Sequence, residues 1–287
     1  MTTDQNGFED SLDVALPILI QMKKNLRPAP KATRSSLEKL QVILPPSFEK
    51  AQATPAQPIR IPSSEPKETS KPAISTVVHD DRLAKLEVLR ESILTCTKCP
   101  HLATSRTQVV YGVGNPFTDL LFVGEAPGED EDLKGEPFVG KAGQLLTKII
   151  GAMEYTREEI FIANVLKCRP DMPLGESGNR KPKPAEMATC LPWLREQIAL
   201  IKPKVIVALG LTAVEGLLGE PRTMRDVRGK WLDYDGVPLM PTYHPAYLLR
   251  NQTLAEKRKV WEDMLLVLEK LGRPVSAKQR SYFLEKA

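Results

Sequence analysis

The sequence predicts an α/β protein: a three-layer α/β/α domain around a central four-stranded parallel sheet, preceded by a disordered N-terminal extension. Three observations carry this expectation. Four short apolar runs, at residues 120–123, 160–165, 205–209 and 239–242, alternate with stretches of helical period. Strands that alternate with helices build parallel sheets covered on both faces, so each strand is apolar throughout. Glycine and proline also divide the chain: 16 of its 17 glycines lie from Gly112 onward, whereas nine prolines fall between Pro28 and Pro72.

Residues 1–79 form the extension. The part from 28 to 78, rich in Pro, Ser, Thr and Lys, reads as a stiffened, disordered linker. Leu12, Leu16, Leu19 and Leu26 give residues 9–27 the spacing of a short transient helix. The apolar run there is interrupted by Pro17 and preceded by Glu9, Asp10 and Asp13, so it is too short for a membrane span and a poor signal peptide. A cytoplasmic protein with no membrane partner is expected.

Residues 80–272 form the domain. A helix over 82–94, with Leu83, Leu86, Leu89 and Ile93 on one side, leads into Cys96. Helices over 142–153, 185–201 and 212–218 connect the strands, and a last helix over 254–271 closes the domain. Residues 273–287 are left as a C-terminal tail. Net charge is +4, spread as 10 basic against 8 acidic residues up to position 79 and 30 against 28 beyond it. That permits a nucleic-acid partner, but only through local clusters such as Lys167, Arg169, Arg180, Lys181 and Lys183, or Arg222, Arg225, Arg228 and Lys230.

All four cysteines fall into one arrangement, Cys96 and Cys99 as C-x-x-C, then Cys168 and Cys190. Four thiolates suit tetrahedral zinc or an iron–sulfur cluster. Cys190 sits within a predicted helix, unlike the paired knuckles of zinc ribbons, which favours the cluster. A thiol–disulfide role for the C-x-x-C is disfavoured, because it follows a helix and precedes the first strand instead of lying in a βαβ unit.

In open α/β sheets ligands bind beyond the C-terminal strand ends, and the candidate site residues lie there. Gly124, Glu125, Ala126, Pro127 and Gly128 follow the first strand, where two glycines allow a sharp turn and Glu125 can position water or oppose a cation. The G-K-[ST] ending of a phosphate-binding P-loop is missing. Phe138 stands between glycines in a loop before a helix and can stack on a planar ligand. Asn164 ends the second strand with a donor and an acceptor side by side. His244, one of three histidines, ends the fourth strand beside Pro245, which suits acid–base or hydrogen-bonding chemistry.

With C-T-K-C-P, G-E-A-P-G-E-D-E-D, G-E-P-F-V-G-K-A-G-Q-L-L, N-V-L-K-C-R-P and H-P-A-Y-L-L-R in this order, residues 94–271 resemble a family 4 uracil-DNA glycosylase, the iron–sulfur type. The resemblance implies a [4Fe–4S] cluster on Cys96, Cys99, Cys168 and Cys190, and excision of uracil from DNA. It implies that Glu125 orients or activates water and that His244 hydrogen-bonds the uracil O2. Phe138 would stack on the flipped base and Asn164 would read its amide edge, in a pocket that includes Gly124 and Ala126. Leu248 or Leu249 would wedge into the duplex gap, with Arg250, Lys167 and Arg169 near DNA. A related class traps uracil-DNA covalently through a histidine in the basic loop before the fourth strand; residues 222–229 contain none, so turnover is expected.

A non-catalytic iron–sulfur nucleic-acid-binding module of the same fold is the alternative, and the joint presence of Glu125, Asn164 and His244 argues against it. Gln279-Arg280-Ser281-Tyr282-Phe283 is similar to peptides that dock on sliding clamps, with Tyr282 in place of leucine. The protein is otherwise expected to act as a monomer.

Overall fold

The four apolar runs lie side by side. The computed structural model describes residues 76–173, 175–176 and 178–284. Its strands are β1 (Val113–Gly114), β2 (Leu120–Gly124), β3 (Phe161–Asn164), β4 (Val205–Leu209), β5 (Leu232–Tyr234) and β6 (Val237–Thr242), in the order β1-β3-β2-β4-β6-β5. β3, β2, β4 and β6 are parallel, with Leu121 level with Phe161 and Ile206, and Val207 level with Met240. This is the expected four-stranded core. The sheet extends past it by one antiparallel strand at each edge, β1 on β3 and β5 on β6. Two or three residues are too few to display a period, so neither edge was anticipated. The β5–β6 turn does carry a local signal: Asp235 and Gly236, at φ 50° and 86°, form the Asp-Gly hairpin loop that matches strand twist.

The helices are α1 (Thr76–Leu94), α2 (Pro100–Ser105), α3 (Glu129–Lys134), α4 (Lys141–Ala152), α5 (Pro184–Ile201), α6 (Leu211–Leu218), α7 (Met224–Val227), α8 (Pro245–Arg250), α9 (Leu254–Lys270) and α10 (Ala277–Arg280). Successive strand residues point to opposite faces, and each face has its own cover. Leu121, Val123, Ile206 and Ala208 pack with Leu86 of α1, Leu194 and Ile198 of α5, and Val214 of α6. Leu120, Phe122, Val205 and Val207 pack with Leu146 and Ile150 of α4 and with Trp261, Met264 and Leu268 of α9. The result is the predicted three layers.

The terminal boundaries differ from expectation. α1 starts at Thr76, inside the stretch assigned to the extension, while residues 1–75, including the helix expected over 9–27, lie outside the described residues. The C-terminal segment packs against the domain. The Gln279 side chain is buried and donates to the Ala152 carbonyl at 3.0 Å, while the Gln279 backbone carbonyl accepts from the Trp261 indole at 2.6 Å. Arg258 donates to the carbonyls of Arg280 and Tyr282. The glutamine of the clamp-like motif is therefore occupied within this chain.

Candidate active site and cysteine cluster

Parallel strands deliver their C-terminal ends to one edge of the sheet, and there the loops after β2, β3 and β6 enclose a cleft of about 350 Å³. Glu125, Ala126, Phe138, Asn164, His244 and Arg250 all line it, and Gly124 abuts two of them, Phe138 and Asn164. A Cβ on Gly124 would lie 2.5 Å from Cζ of Phe138 and would also run into the Asn164 amide oxygen. Glycine at this position is what lets ring and amide meet.

Asn164 is buried, and among the described residues its Oδ1 has no hydrogen-bond partner. A buried acceptor left unpaired costs about 1–3 kcal/mol, which an N–H donor reaching this oxygen would relieve. Phe138, 7% exposed, has φ 55°, a conformation costing about 1–3 kcal/mol for a bulky residue. Its ring lies 5.6 Å from the His244 ring, tilted by 33°.

His244 caps α8. Its Nδ1 accepts from the Ala246 N–H at 3.1 Å, which puts the proton of a neutral ring on Nε2. Burial, aided by the nearby Arg250 charge, pulls its pKa down to about 4. At neutral pH the ring is an uncharged donor. Glu125 is pushed the other way: burial raises its carboxyl above the usual range, against a Thr212 hydrogen bond and the Lys181 charge. A carboxylate in this setting suits contact with water or with developing positive charge.

Of the expected DNA contacts, two need correction. Lys167 is 1% exposed, and its ammonium donates to the Asn164 carbonyl at 3.0 Å and to Oε1 of Gln197 at 2.5 Å. It is an internal strut and cannot reach a phosphate. Leu248 is buried beside α9, whereas Leu249 is exposed; an amphipathic turn turns one leucine inward, so Leu249 alone is available as a wedge. Arg250 is exposed at the cleft mouth. Arg169 is partly exposed and donates to the Gly178 carbonyl at 2.8 Å. Other members of the basic clusters are neutralised locally: Arg180 by Asp171 and Glu186, Arg228 by Asp263 at 2.9 Å. Among the described residues, Arg225 and Lys230 are exposed without an ion pair. His101, Asp171 and Glu186 also converge, but the Arg180 guanidinium already bridges the two carboxylates.

Sequence reasoning missed two residues of the cleft, Glu131 and Asn179. Glu131 accepts from the N–H groups of Gly128 (3.0 Å), Val139 and Gly140 (both 2.9 Å), tying the glutamate turn to the aromatic loop. A capping pattern, Gly128 followed three positions on by Glu131, was its available signal. Asn179 reaches the cleft from the segment between the third and fourth cysteines, where no local signal marked it, and Lys181 of the basic cluster reaches it from the same segment.

That segment connects the cleft to the cysteines. Cys168 and Cys190 are buried, Cys96 and Cys99 half-buried, and all four are free thiols. Cys99, Cys168 and Cys190 pack with Leu89, Ile93, Leu102 and Leu166. Burial raises the pKa of Cys99, Cys168 and Cys190, the last to about 11, and charge on neighbouring sulfurs raises all three further. A cationic centre would relieve this repulsion. Donors already face the sulfurs: Arg106 Nη1 lies 3.1 Å from Cys168 Sγ, and the Lys167 N–H 3.3 Å from Cys190 Sγ.

Residues 111–265 match the family model described as the uracil DNA glycosylase superfamily. The chain is 45% identical over 181 residues to the type-4 uracil-DNA glycosylase of Thermotoga maritima, covering 62% of this chain and 91% of that protein. It is 42% identical over 179 residues to the type-4 enzyme of Archaeoglobus fulgidus, covering 60% and 86%. Similarity to a type-5 uracil-DNA glycosylase of Pyrobaculum aerophilum is lower, 26% over 203 residues, covering 57% and 86%.

Proposed function

The chain belongs to the uracil-DNA glycosylase superfamily and to its type-4 members, and from that premise we propose a mechanism for its excision of uracil from DNA built on the cleft residues. The enzyme hydrolyses the N-glycosidic bond, the first step in repairing deaminated cytosine. A base inside a duplex is out of reach, so it must be flipped out, at a cost of a few kcal/mol. Leu249 fills the gap, and Arg250, Arg169, Arg225 and Lys230 meet phosphates.

One observation carries the assignment of the cleft: the Asn164 Oδ1 without a partner among the described residues shares one cleft with the Phe138 ring and a neutral histidine. Uracil offers an N–H at N3 to that oxygen. Cytosine has an acceptor there and would leave both groups unpaired, so the amide discriminates between them. Phe138 supplies a stacking face. As the glycosidic bond breaks, negative charge grows on O2, and His244 Nε2–H donates to it. One such preorganised donor is worth about 3 kcal/mol. Glu125, on the far side, orients water and stabilises the positively charged sugar. The full set of acid–base, reading and stacking groups in one cleft counts against a non-catalytic binding module.

Cys96, Cys99, Cys168 and Cys190 would hold a [4Fe–4S] cluster; the place of Cys190 inside α5, unlike the paired knuckles of zinc ribbons, supports this reading over zinc. Held by these four residues, such a cluster would tie the chain before β1 to the segment carrying Asn179 and Lys181. We infer action as a monomer in the cytoplasm; among the described residues no helix is long and apolar enough to cross a membrane. Binding to a sliding clamp through residues 279–283 would require Gln279 to leave its buried position.

The test is base release from oligonucleotides carrying a single uracil, hypoxanthine or xanthine, by wild type, Glu125→Ala and His244→Ala. Uracil should be the best substrate, and both variants should lose rate by tens-fold or more. No release by intact wild-type protein would sink the assignment. Iron and sulfide in near-equal amounts with absorption near 400 nm would support the cluster; stoichiometric zinc would refute it.

A further inference from the structure

Phe138 is held in a backbone conformation that a phenylalanine does not adopt unaided, and the means of holding it lie outside the cleft. The loop over residues 137–140 is gripped from two sides by opposite charges. Arg157, in the connection between α4 and β3, donates Nη2 to the Pro137 carbonyl at 2.8 Å and Nη1 to the Phe138 carbonyl at 3.1 Å. Nη1 also lies 3.3 Å from Thr147 Oγ1 of α4. Glu131 collects the next two groups of the same loop, the N–H donors of Val139 and Gly140. The cation takes consecutive carbonyls and the anion consecutive amides. Gly143 completes the seat: a Cβ there would overlap the Phe138 carbonyl, so nothing bulkier allows that oxygen to sit against α4 while facing the guanidinium.

Arg157 is half-buried, with its charge disfavoured by desolvation. A planar fork that meets two carbonyls at fixed spacing is work for which lysine has the wrong shape. Phe138 φ is 55°, and strained backbone of this kind persists only where the surroundings over-determine it.

We propose that Arg157 is a positioning residue for the base-stacking platform: by tying the Pro137 and Phe138 carbonyls it holds the Phe138 ring in the place where an extruded uracil stacks. This rests on the glycosylase reading of the cleft. Arg157 touches neither the base nor the reacting bond; it acts through the ring.

Three measurements test the proposal. Arg157→Met keeps the apolar stem and removes both donors. It should lower kcat/KM on a single-uracil oligonucleotide at least tenfold and weaken inhibition by free uracil by a similar factor, with the cysteine-centre absorption retained. Arg157→Lys, able to reach one carbonyl at a time, should recover part of the loss. In a Phe138→Leu background, Arg157→Met should cost less than about twofold more, because its route of action is already gone; contacting residues couple in this way. Hydrogen exchange supplies a readout that needs no activity: the amides of residues 138–140 should exchange at least tenfold faster in Arg157→Met than in wild type. Unchanged exchange, a uracil inhibition constant within twofold of wild type, or full multiplication of the Arg157 and Phe138 effects would each overturn it. A wild type that releases no uracil refutes the glycosylase reading instead, and exchange then judges the strap by itself.

Discussion

Protonation of His244 is the perturbation that tests the site most directly. Its pKa falls from the ordinary 6.5 to about 4, chiefly through burial and then through Arg250. Two and a half units at about 1.4 kcal/mol each make the charged ring roughly 3 kcal/mol less favourable in the folded site than in water. Because the folded pKa lies below the unfolded one, the native state binds fewer protons between them. The contribution to stability is complete above pH 6.5 and is lost as pH falls through 4. The same shift keeps Nε2–H an uncharged donor, with Nδ1 engaged by Ala246. In ¹⁵N-histidine NMR, the resonance that disappears in His244→Ala should be the Nε2–H tautomer at pH 7 and should titrate near pH 4. His244→Ala should cut kcat by roughly 10²–10³ at neutral pH. A His244 resonance titrating between pH 6 and 7, or a proton found on Nδ1, would refute the reasoning.

Three further outcomes follow from the same geometry. Arg250→Gln should lower the salt slope of DNA binding by about one, while Lys167→Met should leave it unchanged because that ammonium is buried; fluorescence anisotropy across a salt series decides. Asp263, fully buried and bonded to Thr242 and Arg228, has its pKa raised by burial from 3.8 to about 6. Its stabilising effect is present below pH 3.8 and lost as pH rises through 6, by about 3 kcal/mol; His244 acts in the opposite sense in both proteins, so the stability difference between wild type and Asp263→Asn, followed by denaturant unfolding, should shift by about that amount across the window. Gly124→Ala should place a methyl against Phe138 and Asn164 and lower uracil release by tens-fold while DNA affinity holds; an unchanged rate in single-turnover assays would contradict the role given to this close approach.

Much of this was legible from residue order. Apolar runs of strand length separated by helical periods specify alternation, and alternation specifies a parallel sheet, whose strand ends put Glu125, Asn164 and His244 in one place. The tetrad of cysteines was equally legible, since thiolates have few other uses in such spacing. The edge strands β1 and β5 were not, being shorter than the period that would reveal them.

What order alone determined was which residue types sit at the strand ends, because a repeating pattern of burial is a property of near neighbours in the chain. What only the tertiary structure decided was the direction and neighbourhood of each side chain. Lys167 looks like a DNA-facing cation until the fold closes around it and offers it the Asn164 carbonyl and Gln197. Leu248 and Leu249 are interchangeable until α9 claims one of them. Arg157 carries no motif, and its role exists only because the connection before β3 brings it against the carbonyls of residues 137 and 138. Charge and hydrogen bonding act across space over a few ångströms, and partners separated by tens of residues in the chain become neighbours only after the core has packed.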